Sequence, residues 1–168
     1  MQSDIFKFAI NCVKDALKKN ADGHFSVTTD FTKSEKPQVK IDVVDIFQSS
    51  NDKTGQKIIV DEKLYEVPTQ YVLMLRLSFG GGAIEDVLTA YGYVATFFKD
   101  HNSFDLGEFN WHGNTTSKFF MEPVIRREFS DKNEYLHLDY RIELQLNSEK
   151  PEKFARVEKK VLNANQIK

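Results

Sequence analysis

The sequence predicts an α+β fold in which a mostly antiparallel sheet is packed by two amphipathic helices. Two segments repeat apolar residues at helical spacing, and the segment from Leu136 to Leu146 alternates strictly between apolar and polar residues. Strict alternation is typical of an antiparallel sheet with one buried face and one polar face. Because strands and helices do not alternate regularly along the chain, a doubly wound α/β fold is disfavoured.

The two helices account for much of the apolar content outside the strands. The first begins after Ser3, whose hydroxyl suits a helix N-terminus, and runs for about four turns. The second runs from about Ala83 to Asp100, with acidic residues at its start and Lys99 near its end, as the helix dipole favours. The predicted apolar stripes are Ile5, Phe8, Ala9, Cys12, Val13, Ala16 and Leu17 in the first helix and Ile84, Val87, Leu88, Tyr91, Val94, Ala95 and Phe98 in the second.

Two predicted strands precede the second helix, with a shorter candidate at 57–60 between them. The first predicted strand, 39–47, is half-buried, and the residues that share its apolar parity are Val39, Ile41, Val43 and Phe47. The segment from Tyr71 to Phe79 is apolar on both faces in its first half, which favours a central position in the sheet. The glycines 80–82 then break that strand and form a turn.

The rest of the sheet is predicted from the second half of the chain. Residues 102–117 are predicted to be irregular. Residues 119–129 form a strand candidate, in which Pro123 favours an edge position or a bulge. Residues 136–146 should pair with it as a β-hairpin.

The length of 168 residues suits one domain. We predict a single α+β domain over residues 1–147, followed by a polar C-terminal tail or short helix over 148–168. In that last segment Phe154 and Val157 keep helical spacing with Val161, so a short amphipathic helix is one interpretation.

Composition restricts the classes of function and location. The formal net charge is -2, from 23 basic and 25 acidic side chains, whereas proteins that bind nucleic acid usually carry a basic face. We therefore predict no nucleic-acid partner. A single cysteine, Cys12, excludes an intrachain disulfide. With no signal peptide and no apolar run long enough to span a membrane, the expected location is cytoplasmic.

No recognisable catalytic, metal or cofactor motif is present, so none is predicted. Gly80-Gly81-Gly82 lies between a strand and a helix but lacks the residues of a phosphate-binding loop. Cys12 falls on an apolar stripe, which favours a structural thiol. One face of the last strand carries His137, Asp139, Arg141 and Glu143. A solvated face of alternating charge explains this row, and a subunit-contact or catalytic role is the alternative.

A resemblance to a known family comes from the central part of the chain. The segments that carry it are Pro68, Tyr71-Val72-Leu73-Met74-Leu75, Ile84-Glu85-Asp86-Val87-Leu88, Val94-Ala95-Thr96-Phe97-Phe98 and Tyr140-Arg141-Ile142-Glu143-Leu144. This pattern resembles the cap, or tail-terminator, proteins of contractile phage-tail-like injection systems. In that family an apolar strand led by proline is followed by an acidic helix that ends in aromatics, and then by a β-hairpin.

The resemblance implies a structural role. Six copies would form a homo-oligomeric ring on the end of a tail tube and sheath and stop their growth. The candidate subunit contacts are His137, Asp139, Arg141, Glu143, Phe154 and Val157. Two other functions stay open: a small-molecule-binding or enzymatic domain with a pocket near Phe97–Phe120, and an adaptor that binds a partner by strand addition.

Overall fold

A computed structural model of the chain describes residues 4–49, 57–60, 63–66, 69–110, 117–125 and 135–146. The two helices are α1 (Asp4–Asn20) and α2 (Ile84–Asp100). The strands are β1 (Ser26–Thr28), β2 (Gln38–Gln48), β3 (Lys57–Val60), β4 (Lys63–Glu66), β5 (Thr69–Gly80), β6 (Ser103–Asp105), β7 (Lys118–Pro123) and β8 (Leu136–Leu146). A short 3-10 helix spans Gly107–Phe109.

Six strands form one sheet in the order β1-β2-β5-β8-β7-β6, and β3 and β4 pair with each other as a second, two-stranded sheet. Strand β1 runs parallel to β2, while the other pairs in the large sheet are antiparallel. The predicted α+β class with a mostly antiparallel sheet is therefore confirmed. The central position predicted for the strand after residue 70 is also confirmed, because β5 pairs with β2 and β8.

Both helices contribute to a core that they share with one face of the sheet. In α1 the fully buried positions recur every fourth residue, which matches the predicted stripe. Strand β5 contributes alternate residues to the same core, and β8 adds the matching row from across the ladder. The residues that these elements contribute to this core are Ile5, Ala9, Val13, Leu17, Leu73, Leu75, Leu77, Phe79, Val87, Ala90, Val94, Phe98, Tyr140, Ile142 and Leu144.

The predicted stripe of α2 is wrong at two positions. Ile84 and Leu88 are 61% and 52% exposed. The buried row of this helix instead contains Val87, Ala90 and two residues of its second half. Ala90, which the prediction left out, lies fully buried because a small side chain allows a helix to approach the sheet closely.

A tight turn joins β5 to α2, as predicted from the three glycines. Gly81 and Gly82 both have φ near +70°, a conformation that residues with a Cβ rarely adopt. The Gly82 N–H donates a hydrogen bond to the Ser34 carbonyl at 2.9 Å. The turn therefore packs against the segment that leads into β2.

The segment predicted to be irregular contains a strand. Ser103 to Asp105 forms β6, which pairs with the start of β7, and the Phe104 ring stacks on Phe119 at a centroid distance of 5.2 Å. Strand β7 ends at Pro123, and it pairs with β8 as the predicted hairpin. Residues 126–129 of the predicted strand lie outside the described residues.

The interpretation of β2 is corrected by a bulge. The register against β5 shifts between Val43 and Asp45, so the residues after the shift exchange faces. Val39 lies opposite Phe79 on the helix-covered face, whereas Phe47 lies opposite Val72 on the other face. Phe47 therefore does not share a face with Val39, contrary to the prediction.

The buried row of β5 should dominate stability. We expect Leu75→Ala to lower the free energy of unfolding by about 2–5 kcal/mol, because it removes a fully buried side chain and leaves a cavity. The matched control is Leu88→Ala, whose side chain is half exposed and whose loss should cost less than about 1 kcal/mol. Urea unfolding followed by circular dichroism measures the free energy of unfolding of both variants. Equal decreases in the two variants would contradict the dominant role of the buried row of β5.

Stability should fall at high pH through Tyr140. Burial, with a smaller contribution from Tyr91, raises the pKa of Tyr140 from 10.0 to about 12. The unfolded chain thus loses this proton at a lower pH than the folded protein does. The contribution is fully present below pH 10 and is lost as pH rises to about 12, at up to about 1.4 kcal/mol per pH unit. Denaturation across this range should show a shallower decline for Tyr140→Phe, and identical declines would refute the assignment.

Candidate functional site

The face of the sheet opposite the helices carries a buried ion pair between β5 and β8. Arg76 and Asp139 lie directly opposite each other in the ladder. The Arg76 Nε donates to Asp139 Oδ1 at 2.8 Å, and its Nη2 donates to Oδ2 at 3.0 Å. The side chains are only 16% and 3% exposed, so this bidentate pair is removed from water.

His137 completes a polar cluster around that pair. Its Nε2 lies 3.9 Å from Asp139 Oδ2, and its register partner on β5 is Ser78, which is buried. Serine, histidine and aspartate are the residue types of a hydrolytic triad. The 3.9 Å separation exceeds a hydrogen bond, and Arg76 already engages both Asp139 oxygens. This geometry suits a structural ion pair better than a proton relay.

The same face continues with Arg141 and Glu143, which are half exposed. The Arg141 guanidinium contacts the Glu143 carboxylate, and Gln70 donates to the other Glu143 oxygen at 2.6 Å. Of the predicted contact residues on β8, Arg141 and Glu143 are accessible to a neighbour, His137 is partly accessible and Asp139 is buried. Their role as subunit contacts stays a prediction. Phe154 and Val157 lie outside the described residues.

A cavity of about 180 Å³ opens where the large sheet splits. Strands β7 and β8 pair from Pro123–Tyr140 to Met121–Ile142 and no further within the described residues. The start of β7, at Lys118, pairs with β6 instead. The cavity lies between the two diverging strands, and its lining residues include Ile5, Leu106, Phe109, Phe119, Phe120, Glu143 and Leu144.

The outer edge of β2 exposes apolar side chains that sequence reasoning placed in a half-buried strand. On the side of β2 away from β5, strand β1 pairs only with 38–40, and no other described strand pairs with 41–47 on that side. Four large apolar side chains around the bulge are 42–46% exposed: Val43, Val44, Ile46 and Phe47. Two consecutive apolar residues, Val43 and Val44, interrupt the alternation of apolar and polar residues in β2. This interruption is the feature of the sequence that could have indicated the bulge.

The amide of Ile46 points away from β5 on this edge. The Ser49 N–H bonds to the Gln70 carbonyl of β5, and because the direction alternates along the strand, the Ile46 amide lies on the outer side. Among the described contacts, the Ile46 N–H donates only to the adjacent Asp45 carboxylate, at 2.8 Å. A side chain thus occupies a donor that a neighbouring strand normally uses.

Cys12 has the environment expected of a structural thiol. It is half-buried on α1 and packs against the core. Burial first, and the charge of Asp15 second, raise the pKa of its thiol, which disfavours the reactive thiolate. Among the described residues, no group of three or more His, Cys, Asp and Glu side chains is placed to hold a metal ion.

Comparison with known proteins adds no family. No protein-family model matches the chain, and no curated protein matches it. Within the described part of the chain, neither helix is long and apolar enough to cross a membrane.

The buried pair should be essential to the fold although it is polar. We expect Asp139→Ala to destabilise the protein by about 3–5 kcal/mol, because it leaves the Arg76 charge buried without this partner. The double variant Arg76→Leu with Asp139→Leu should recover most of that loss. The control Lys40→Ala breaks an exposed pair with Asp42 and should cost at most about 1 kcal/mol. Thermal or urea unfolding measures these changes in stability. Equal destabilisation by Asp139→Ala and Lys40→Ala would contradict the importance of the buried pair.

Proposed function

We propose that this chain is a structural assembly subunit, of the tail-terminator kind, that forms a ring with copies of itself and contacts tube or sheath subunits. The observation that carries the proposal is the exposed apolar edge of β2. A strand edge with several exposed apolar side chains favours pairing with another chain. The ring and its six copies come from the family resemblance.

Burial of this edge would supply a useful part of an association energy. Complete burial of one such aliphatic or aromatic side chain contributes about 1.5–3 kcal/mol. Since Val43, Val44, Ile46 and Phe47 are already about half covered, each would add roughly 1 kcal/mol on association. Interfaces also require rim contacts, and the accessible residues Arg141 and Glu143 on β8 are candidates for these.

A second function is supported by the cavity at the split in the sheet. Its wall includes Leu106, Phe109, Phe119 and Phe120, which fall in the 97–120 stretch that the sequence predicts as a pocket. Nearly half of the lining residues are polar: Gln70, Lys118, Glu122, Glu143 and Gln145. Drug-sized ligands usually occupy about 300–1,000 Å³ in mostly apolar pockets. The cavity therefore suits a small ligand at most.

Light scattering of the purified chain, followed by negative-stain imaging, tests the assembly proposal. We expect an oligomer that the double variant Val44→Ser with Phe47→Ser converts to monomer, since it removes two exposed apolar side chains from the edge. The matched control is Ile84→Ser with Leu88→Ser, which changes two apolar residues on α2 that are somewhat more exposed than Val44 and Phe47.

The result separates the three candidate functions. A control variant that dissociates while the β2 variant does not would place the contact on α2 and refute the role of the edge. A strictly monomeric chain that gains thermal stability from a small molecule would favour the cavity. A monomer that captures one strand-donating protein would favour an adaptor.

A further inference from the structure

We propose that the split between β7 and β8 binds a small uncharged molecule that has an apolar body and a carboxamide head group. The body lies on the helix-covered side of the sheet, and the head group lies between the two strands. This inference rests on the second function proposed above, ligand binding in the cavity, and it names the class of ligand that the cavity accepts.

The cavity interrupts the ladder between β7 and β8 at a defined position. The last pair on this side of the ladder is Met121–Ile142, and the next pair in the same register, Phe120–Glu143, is absent among the described residues. Strand β7 is paired with β6 at this point, and β8 continues along β5. The two strands therefore separate here, and the cavity of about 180 Å³ lies between them.

The lining of the cavity divides according to the side of the sheet. Because successive residues of a strand alternate between faces, Phe119 and Leu144 lie on the helix-covered face, where both are at most 2% exposed. Ile5 and Leu106, which are also buried, line the cavity with them. The lining residues of the opposite face include Phe120, which is 43% exposed. The cavity thus has a closed apolar floor and opens to the face opposite the helices.

The volume of the cavity restricts the size of the ligand. Protein interiors contain few voids larger than a water molecule, so a gap of about 180 Å³ beside the core is unusual unless a molecule fills it. In another protein, an apolar cavity of about 150 Å³ binds benzene. The cavity between β7 and β8 therefore accommodates one ring of that size and a few further atoms.

The backbone of both strands supplies hydrogen-bonding groups for the head group. The Val124 N–H donates to the Asp139 carbonyl at 2.9 Å, across the β7–β8 ladder. Backbone groups alternate in direction along a strand, so those of Phe120 and Glu143, each four residues away, also face the split. A pair at this position would exchange one N–H and one C=O from each strand. A carboxamide carries both a donor and an acceptor, and so matches the groups of the missing pair.

The charges around the opening favour an uncharged head group. Lys118 and Arg141 are balanced by Glu122 and Glu143, which lie on the same face. Both Glu143 oxygens are already engaged, because Arg141 contacts one and Gln70 donates to the other at 2.6 Å. A charged group that leaves water for such a site loses free energy unless a counter-ion pairs with it. An uncharged head group avoids that cost.

A methyl NMR titration of the full-length protein with benzamide tests the proposal. The comparison compounds are benzoate and benzylamine, which have the same ring and a charged head group. We expect benzamide to bind about tenfold more tightly than either of them, because its head group carries no charge to desolvate. Nuclear Overhauser contacts should join the protons of its ring to the methyl groups of Ile5 and Leu144.

Filling the floor of the cavity should weaken binding. Ile5→Phe enlarges a side chain of the floor and should reduce the affinity for benzamide by about tenfold or more. The matched control is Val13→Ile, which enlarges a fully buried residue of the same helix away from the cavity and should leave the affinity unchanged. Circular dichroism checks that each variant folds, and Leu106→Phe provides the same test if Ile5→Phe does not fold.

Three results would overturn the inference. If none of the three compounds binds, the cavity is not a ligand site. If benzoate or benzylamine binds as tightly as benzamide with contacts to Leu144, the cavity is a ligand site but the assignment of the head group is wrong. If benzamide contacts methyl groups elsewhere, the location is wrong. Light scattering of the same sample keeps the assembly proposal separate, because an oligomer that fails to bind benzamide contradicts only the ligand.

Discussion

Strand β5 is the element on which the rest of the structure depends, because it is hydrogen-bonded on both sides. Eleven of its twelve residues pair with β8 and ten pair with β2. On the helix side its alternate residues Leu73, Leu75, Leu77 and Phe79 are at most 1% exposed. On the other side Arg76 bonds to Asp139. One strand therefore fixes both the apolar core and the polar face, and a slip of one residue would exchange the two.

The bulge in β2 determines what the protein presents at its outer edge. Before the bulge, Val39 lies over the core and is fully buried. After it, Ile46 and Phe47 lie on opposite faces, in register with Leu73 and Val72, and both stay about half exposed. The core thus ends partway along β2, and the strand continues past it as a ladder with apolar side chains on both faces. Such a continuation contributes little to folding and is suited to a partner.

Local patterns in the sequence identified the elements that bury a regular face. Helix α1 and strand β8 were predicted with nearly their observed limits, because their periodicity extends over 11 or more residues. Strands β1 and β6, of three residues each, were missed since they are defined by pairing with distant segments. The burial of Asp139 was missed for the same reason, since it pairs with Arg76, which lies 63 residues away in the sequence.

The exposed outer edge of β2 was the hardest feature to predict from sequence, because its apolar residues have the pattern expected of a buried strand. Exposure depends on where α1 and α2 stop covering the sheet, and no local signal encodes that limit. Asp45 bonds to the Ile46 amide, as side chains on protected edge strands commonly do. This local bond occupies a donor on the exposed edge, so it opposes indiscriminate pairing of the edge with other chains.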